Sequence, residues 1–482
     1  MQYLQKNNQL MFPLRLFTLL FCFQVGQLTA QQGFVYEDST TDTTEYVSSV
    51  VELRTGGYVA ALRKITAEGR HCQMVKLDEN GALLQTAVLG QNSHLLINAV
   101  AETTAGILLF GTAGDYLTGD FVSILLDQNL AVIAQYSVPL GNFQESGVFV
   151  TPLDSFLLIS GTVLENSHFR SFLLKVASNG EIINFNPLFV NDLISNGLYR
   201  KSDQRFLFFG YQEKIYEADA DLQIDTIVGQ TPYGLWMEGG MAWANDSTLL
   251  LVGKRKNNIF QPPYEDTQNI GIGVLDQHWH KKNLYQIGMP KDTIDFPAFN
   301  TPISVASSGD IFVGGNAHYQ VGYWLYGHKP SWQVLAKLHP DNFSPQWVKY
   351  YGGDAYYSMF GVLATSDGGC LMYGAKYTKQ GEADADGYIM KVAGDGTTSN
   401  DEPKKDDPWK VQVFPNPVSS QLSIRSDQQP FRFELFDVAG KMVKSLESTS
   451  ELLEVEVNDL PAAAYFYKIT AAGVVTGLLL KQ

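Results

Sequence analysis

The stretch "FGVLATSDGGCLMYG" at residues 360–374 holds two apolar runs either side of a tight Asp-Gly-Gly step and closes on a glycine. Asp-Gly and Gly-Gly steps supply the positive backbone angles that hairpins need, so the stretch reads as two antiparallel strands. The second half recurs along the chain. "GGYVAAL" (56–62), "AGILLFG" (105–111), "DSFLLISG" (154–161), "QRFLFFG" (204–210), "STLLLVG" (247–253) and "GDIFVGG" (309–315) each give a turn and an apolar run, and all but the first end in glycine. With 368–374 that makes seven copies, whose landmarks Leu62, Gly111, Gly161, Gly210, Gly253, Gly314 and Gly374 lie at the spacing of propeller blades.

Each copy carries further strands. An apolar stretch precedes the run ("VSSVVEL", "INAVAET", "GMAWAND"). A third strand ending in a turn follows it, as in "QMVKLDENG" (73–81), "SFLLKVASNG" (171–180) and "YIMKVAGDG" (388–396). A fourth appears in "ALLQTAVL" and "QWVKYYGG". A four-stranded meander cannot cover both of its own faces, so seven of them are expected to close into an all-β, seven-bladed propeller over 31–396. The last copy lacks a fourth strand, while "GFVYEDS" at 33–39 stands alone. This N-terminal strand is expected to complete the last blade.

Composition agrees with a folded β protein, with 45% hydrophobic and 17% charged residues. Residues 1–30 read as a signal peptide: Lys6 and Arg15 precede a short apolar core, "LFTLLFCF", and "LTA" ends at Ala30. That core is too short to span a bilayer, for which about 20 residues are needed. Without the leader the charge balance is 32 basic against 50 acidic residues, or −18, which repels phosphate backbones and argues against a nucleic-acid partner. Cys72 and Cys370 lie in apolar runs and read as buried thiols, although sequence alone leaves their pairing open.

The segment "TTSNDEPKKDDPW" after Gly396 has linker composition, assigned to 397–410. Beyond it, "VQVFPNP", "QLSIRS", "FRFELFDVAGKMVKSL", "YFYKIT" and "GLLLKQ" read as the strands of a small Ig-like β-sandwich over 411–482. The paired prolines remove donors and stiffen the first of these strands.

Two resemblances follow from these motifs. The stretch 347–391, with its Trp-Val-Lys-Tyr-Tyr-Gly-Gly and Asp-Gly-Gly steps, resembles repeats of secreted propeller proteins of the Bacteroidetes, which implies a fold and no shared activity. Phe414-Pro415-Asn416-Pro417, "LFDVAGKMV" (435–443, with Gly440), "LPAAAYFYKI" (460–469, with Leu460, Pro461 and Tyr465) and the terminal "LLLKQ" resemble the type A C-terminal sorting domain of the type IX secretion system. That resemblance implies Sec export, recognition by the outer-membrane translocon, removal by a sortase, and a secreted or cell-surface location. The family commonly has Gly where this chain has Ala463, and often Lys at the place of Gly477.

Chemical signals are sparse. "HWH" at 278–280 would put two imidazoles on one face of a strand, and "EADAD" (217–221) and "ADADG" (383–387) alternate carboxylates as calcium loops do, without the full loop. The reading therefore assigns no cofactor, with calcium as the weak exception, and no metal ligands. The expected binding rim is formed by Tyr319, Tyr323, Trp324, Tyr326 and Trp332, in one of two long insertions between second and third strands (254–269 and 316–332). The expectation is a monomeric, non-enzymatic module for a glycan or surface protein. The alternatives are a propeller glycan hydrolase or lyase with acids around its funnel, and a structural surface-layer component.

Overall fold

The recurring apolar runs become the second strands of seven antiparallel sheets: Tyr58–Thr66, Ile107–Asp115, Leu157–Glu165, Arg205–Gly210, Thr248–Lys256, Ile311–Ala317 and Cys370–Tyr377. They are continuous rather than alternating because both faces are covered. Val59 through Leu62 and Leu249 through Val252 have no exposed surface. This computed structural model describes residues 33–398 and 411–482 apart from 41–42, 67–68, 91–93, 116–117, 143, 154, 166–167, 189–193, 211–213, 229–234, 257–267, 289–293, 320–329, 379–383, 427–428, 439 and 472–473. The expected signal peptide and residues 399–410 of the expected linker lie outside the described residues. The chain falls into two units, Met1–Asn400 and Asp401–Gln482.

In the first unit the first strands of blades 1 to 5 are Thr44–Glu52, Leu96–Glu102, Gln144–Pro152, Ile194–Arg200 and Leu235–Asn245. Blade 6 splits its first strand into Phe296–Pro297 and Ile303–Val305, and blade 7 uses Tyr356–Ala364. Each first strand packs on that of the next blade, and blade 7 returns to blade 1, so the sheets form a closed seven-bladed propeller. The outer strand of blade 7 is Phe34–Asp38, antiparallel to Asp386–Val392 with Phe34 opposite Lys391 and Asp38 opposite Gly387.

One turn recurs at the end of the third strand, leading into the fourth in blades 1 to 6 and following Val392 in blade 7. It places a residue at left-handed φ in every blade: Gly81 (81°), Leu130 (59°), Gly180 (90°), Leu222 (64°), Trp279 (68°), Phe343 (61°) and Gly396 (79°). In four copies an aspartate Oδ1 accepts two backbone N–H groups of its own turn, as Asp127 does from Asn129 and Ala131 at 2.8 Å each. The turn docks on the preceding blade. Leu130 enters the core shared with blade 1, Leu222 that of blade 3 and Phe343 that of blade 5. Preceding-blade side chains cap turn carbonyls, including Lys76 on Gln128 (2.8 Å), Thr103 on Ser178 (2.7 Å), Asn184 on Asp221 (3.2 Å), Tyr285 on Asn342 (3.1 Å) and Tyr351 on Gly396 (2.7 Å). At the closing seam the Phe34 ring fills the space above Gly81, where a Cβ would come within 2.3 Å of it.

The turn also corrects one expectation. "HWH" is not a strand: His278 and His280 donate backbone N–H groups to Asp276, and left-handed Trp279 aims its indole at Glu217. Nor is 217–221 a calcium loop, since Glu217 is held by Arg200 (3.0 Å) and Arg205 (3.3 Å) while Asp219 caps its own turn. In "ADADG", Ala383 lies outside the described residues. No group of three His, Cys, Asp or Glu side chains among the described residues could hold a metal ion. Cys72 and Cys370 are buried and free, and burial pushes both thiol pKa values up.

A buried charge cluster ties the closing strand to blade 1. Lys64 Nζ lies 2.9 Å from Asp38 and 2.8 Å from Glu45, while Tyr36 and Gln73 donate to Asp38 at 3.1 and 3.0 Å. Burial pushes Glu45 up to about 7, against the hydrogen bond from Lys64. Burial works against the Asp38 carboxylate too, but the Lys64 hydrogen bond and charge hold it below the usual range.

The second unit packs a three-stranded sheet (Val411–Phe414, Gln421–Ser426, Leu452–Glu456) on a four-stranded one (Phe431–Phe436, Met442–Ser448, Ala464–Thr470, Val474–Leu480). Leu422, Ile424, Phe433, Leu435 and Ile469 share its core.

Two outcomes are expected. Because folded Glu45 holds its proton more tightly than an unfolded glutamate, its contribution is full below the unfolded pKa, near 4.5, and is lost as pH rises through about 7. Thermal denaturation of the full chain between pH 4.5 and 7.5 should therefore show a fall that Glu45→Gln flattens; an equal fall in both proteins contradicts this assignment. Leu130→Ala, at a seam position only 2% exposed, should cost about 2–5 kcal/mol in denaturant unfolding.

Candidate functional site

The first strands carry the site because they do not pair evenly. The ladder to the second strand slips between Val47 and Ser49 in blade 1, Ile97 and Ala99 in blade 2, and Met359 and Gly361 in blade 7. The extra residues at these bulges are Ser48, Asn98 and Phe360, which the ladder leaves to be aimed elsewhere. Gly374 permits the bulge in blade 7, since a Cβ there would sit 2.0 Å from the Ser358 carbonyl oxygen. Ser48 and Asn98 line a cavity of about 160 Å³ between the first strands, shared with Asn300, Thr301 and Ser304 of blade 6. Ser48 donates to the carbonyl of Ile97 at 2.7 Å, and the Asn300 amide donates to that of Ser48 at 3.2 Å. These side chains are neutral and can hydrogen-bond.

Beside the cavity runs a crescent of aromatic rings. Tyr46 of blade 1 stacks on Phe360 of blade 7, 5.2 Å between centroids and 14° between planes. Phe360 meets Phe299 of blade 6 edge-on at 5.6 Å, and Phe299 meets Tyr319 at 5.5 Å and Phe296 at 5.5 Å. Tyr319 reaches Tyr356 at 6.0 Å, which touches Tyr377 at 5.7 Å. Tyr46, Phe299, Tyr319, Phe360 and Tyr377 are half-buried. Burial first, and then the nearby Tyr46 and Tyr319 hydroxyls, push Tyr377 up to about 12, so this phenol stays protonated as a hydrogen-bond donor. Cations flank both ends: the Arg63 guanidinium lies 5.5 Å from the Tyr46 centroid, and Lys254 lies 4.7 Å from that of Phe296.

Of the rim residues expected from the sequence, Tyr319 joins this crescent. Trp332 packs elsewhere, edge-on to His318 at 5.0 Å and against Gly353. Tyr323, Trp324 and Tyr326 lie outside the described residues. The sequence reading missed Tyr46, Phe296, Phe299 and Phe360, which come from three different blades. The one local signal was the odd residue that breaks the pairing register of a first strand.

In the second unit several motif residues meet. Asn416 Oδ1 accepts the Leu480 amide N–H at 2.9 Å, Val418 donates to the Leu480 carbonyl at 2.8 Å, and Gln482 donates to the Val418 carbonyl at 2.9 Å. Lys481 exchanges two backbone hydrogen bonds with Ala463 (3.1 and 2.9 Å), so the terminal residues are held between the Pro-Asn-Pro step and the "LPAAAYFY" stretch. The buried Tyr465 donates to the Pro461 carbonyl at 3.0 Å, as in a tyrosine corner, and Leu460 packs on the core edge. Gly440 stands apart in a hairpin at φ 80°, and Phe414 is exposed. Where Gly477 lacks a side chain, the Tyr467 ring fills the space.

Residues 412–477 match the family described as the secretion system C-terminal sorting domain. The chain ends in a type IX sorting domain. This domain implies interaction with the type IX secretion machinery and indicates a secreted or cell-surface protein. No curated protein matches the chain. Among solved structures, a catalytically inactive virginiamycin B lyase from Staphylococcus aureus, crystallised with quinupristin, is similar at 13% identity and a TM-score of 0.42, covering 74% of this chain and 99% of its own.

Tyr465→Phe removes the part-buried hydrogen bond to the Pro461 carbonyl. It should destabilise the C-terminal unit by about 1 kcal/mol, read as earlier unfolding of that unit in urea. An unchanged midpoint would count against the corner.

Proposed function

We propose that the propeller is an exported, non-catalytic binding module, and that its ligand is a glycan held on the aromatic crescent. The observation that carries this reading is the run of half-buried rings from Tyr46 through Phe360 and Phe299 to Tyr319, supplied by blades 1, 7 and 6. Sugar rings present flat C–H faces, and an aromatic ring covers such a face with apolar contact at little entropic cost. The tyrosine hydroxyls and the amide of Asn300 supply polar groups at its edge. Binding is favoured over turnover by the cavity beside the crescent, whose serine, asparagine and threonine side chains offer hydrogen bonds but no acid–base pair. The sorting domain delivers this surface to the cell exterior, where polysaccharide is met.

The test is titration of the purified full chain with a panel of soluble oligosaccharides, followed by Phe360→Ala and Tyr319→Ala. Each variant should weaken binding about tenfold, or ~1.4 kcal/mol, with an unchanged melting temperature. Binding that both folded variants retain in full, or a chain that takes no oligosaccharide, would overturn the reading.

A further inference from the structure

Resting on that reading, we infer that the glycan is acidic and that Arg63 holds a uronate carboxylate at the blade 1 end of the crescent. Arg63 sits directly across the strand pair from Tyr46, with its guanidinium carbon 5.5 Å from the ring centroid. Its Nε donates to the Ile97 carbonyl at 3.2 Å, which orients the side chain and leaves the two Nη groups as a fork. Such a fork matches a carboxylate in two parallel hydrogen bonds, which a lysine cannot reproduce.

The charge pattern adds to this geometry. The chain carries a formal charge of −16, and several of its less exposed cations are answered by acids: Lys64 by Asp38 and Glu45, Lys337 by Asp310, Lys376 by Glu37, and Arg200 by Glu217; Lys76 and Lys175 instead donate to the carbonyls of Gln128 and Ala220. Among the described residues no carboxylate pairs with Arg63. A half-buried cation left without a counter-charge in so acidic a protein costs desolvation, unless an anion arrives with the ligand. A neutral sugar would stack on the same rings but leave the guanidinium unanswered. A uronic acid offers both the C–H face for Tyr46 and Phe360 and the carboxylate for Arg63.

The experiment titrates the full chain with oligogalacturonate, with a neutral glucan oligosaccharide of equal length, with a sulfated oligosaccharide and with a poly-glutamate peptide. Oligogalacturonate should bind at least tenfold more tightly than the neutral oligosaccharide, and the preference should shrink as salt is raised. Arg63→Gln should abolish the preference, weakening oligogalacturonate binding at least tenfold. Should Arg63→Gln fail to fold, Arg63→Lys serves, and it should lose about three- to tenfold of the preference because it keeps the charge without the fork. Equal binding of acidic and neutral sugars, a preference that survives in Arg63→Gln, or stronger binding of the sulfated sugar or the peptide overturns the inference. In the first two cases a loss on Phe360→Ala leaves the glycan reading standing. If no sugar binds, both fall.

Discussion

The ring depends on the turn at the end of the third strand of each blade. A β-meander leaves one face bare, and seven bare faces must be joined by something repeatable. Here a left-handed residue lets the turn protrude toward the preceding blade, and either its side chain enters that blade's core or an aromatic from that blade covers its glycine. Leu130, Leu222 and Phe343 take the first course. Gly81 under Phe34 takes the second. At five of the seven seams polar side chains then satisfy turn carbonyls, so the backbone there is not stranded away from water.

This device also explains what the sequence could and could not disclose. The glycine copies, Asp-Glu-Asn-Gly and Ser-Asn-Gly, announce turns. The copies with Leu130, Leu222, Trp279 and Phe343 do not, because a bulky residue at positive φ is disfavoured locally and is tolerated only where a neighbouring core accepts its side chain. The same blindness made "HWH" look like a strand, when it is part of a seam. By contrast, the second strands were legible because burial on both faces forces an unbroken apolar run.

The candidate site was largely hidden for a different reason. Aromatic residues close in sequence, such as those of 319–332, attract attention together. Tyr46 lies hundreds of residues from Phe299 and Phe360, which belong to different blades themselves, and the three become neighbours only when the first strands meet around the axis. The aim of Phe360 depends on a ladder slip, and a slip is a property of two strands at once. Among the described residues, Tyr319 alone belonged to both the expected rim and the crescent.

The strand that finishes blade 7 has a mechanical corollary. Phe34 begins it and Val392 ends its partner, so the two free ends of this antiparallel pair leave from the same side. A pull between those ends would load the pair one rung at a time, the geometry of unzipping, in which hydrogen bonds yield singly rather than sharing the force. Under tension the wheel would open at this joint before any hairpin gave way, and Lys64, wedged between Asp38 and Glu45 at the far end of the pair, is the rivet that would hold last.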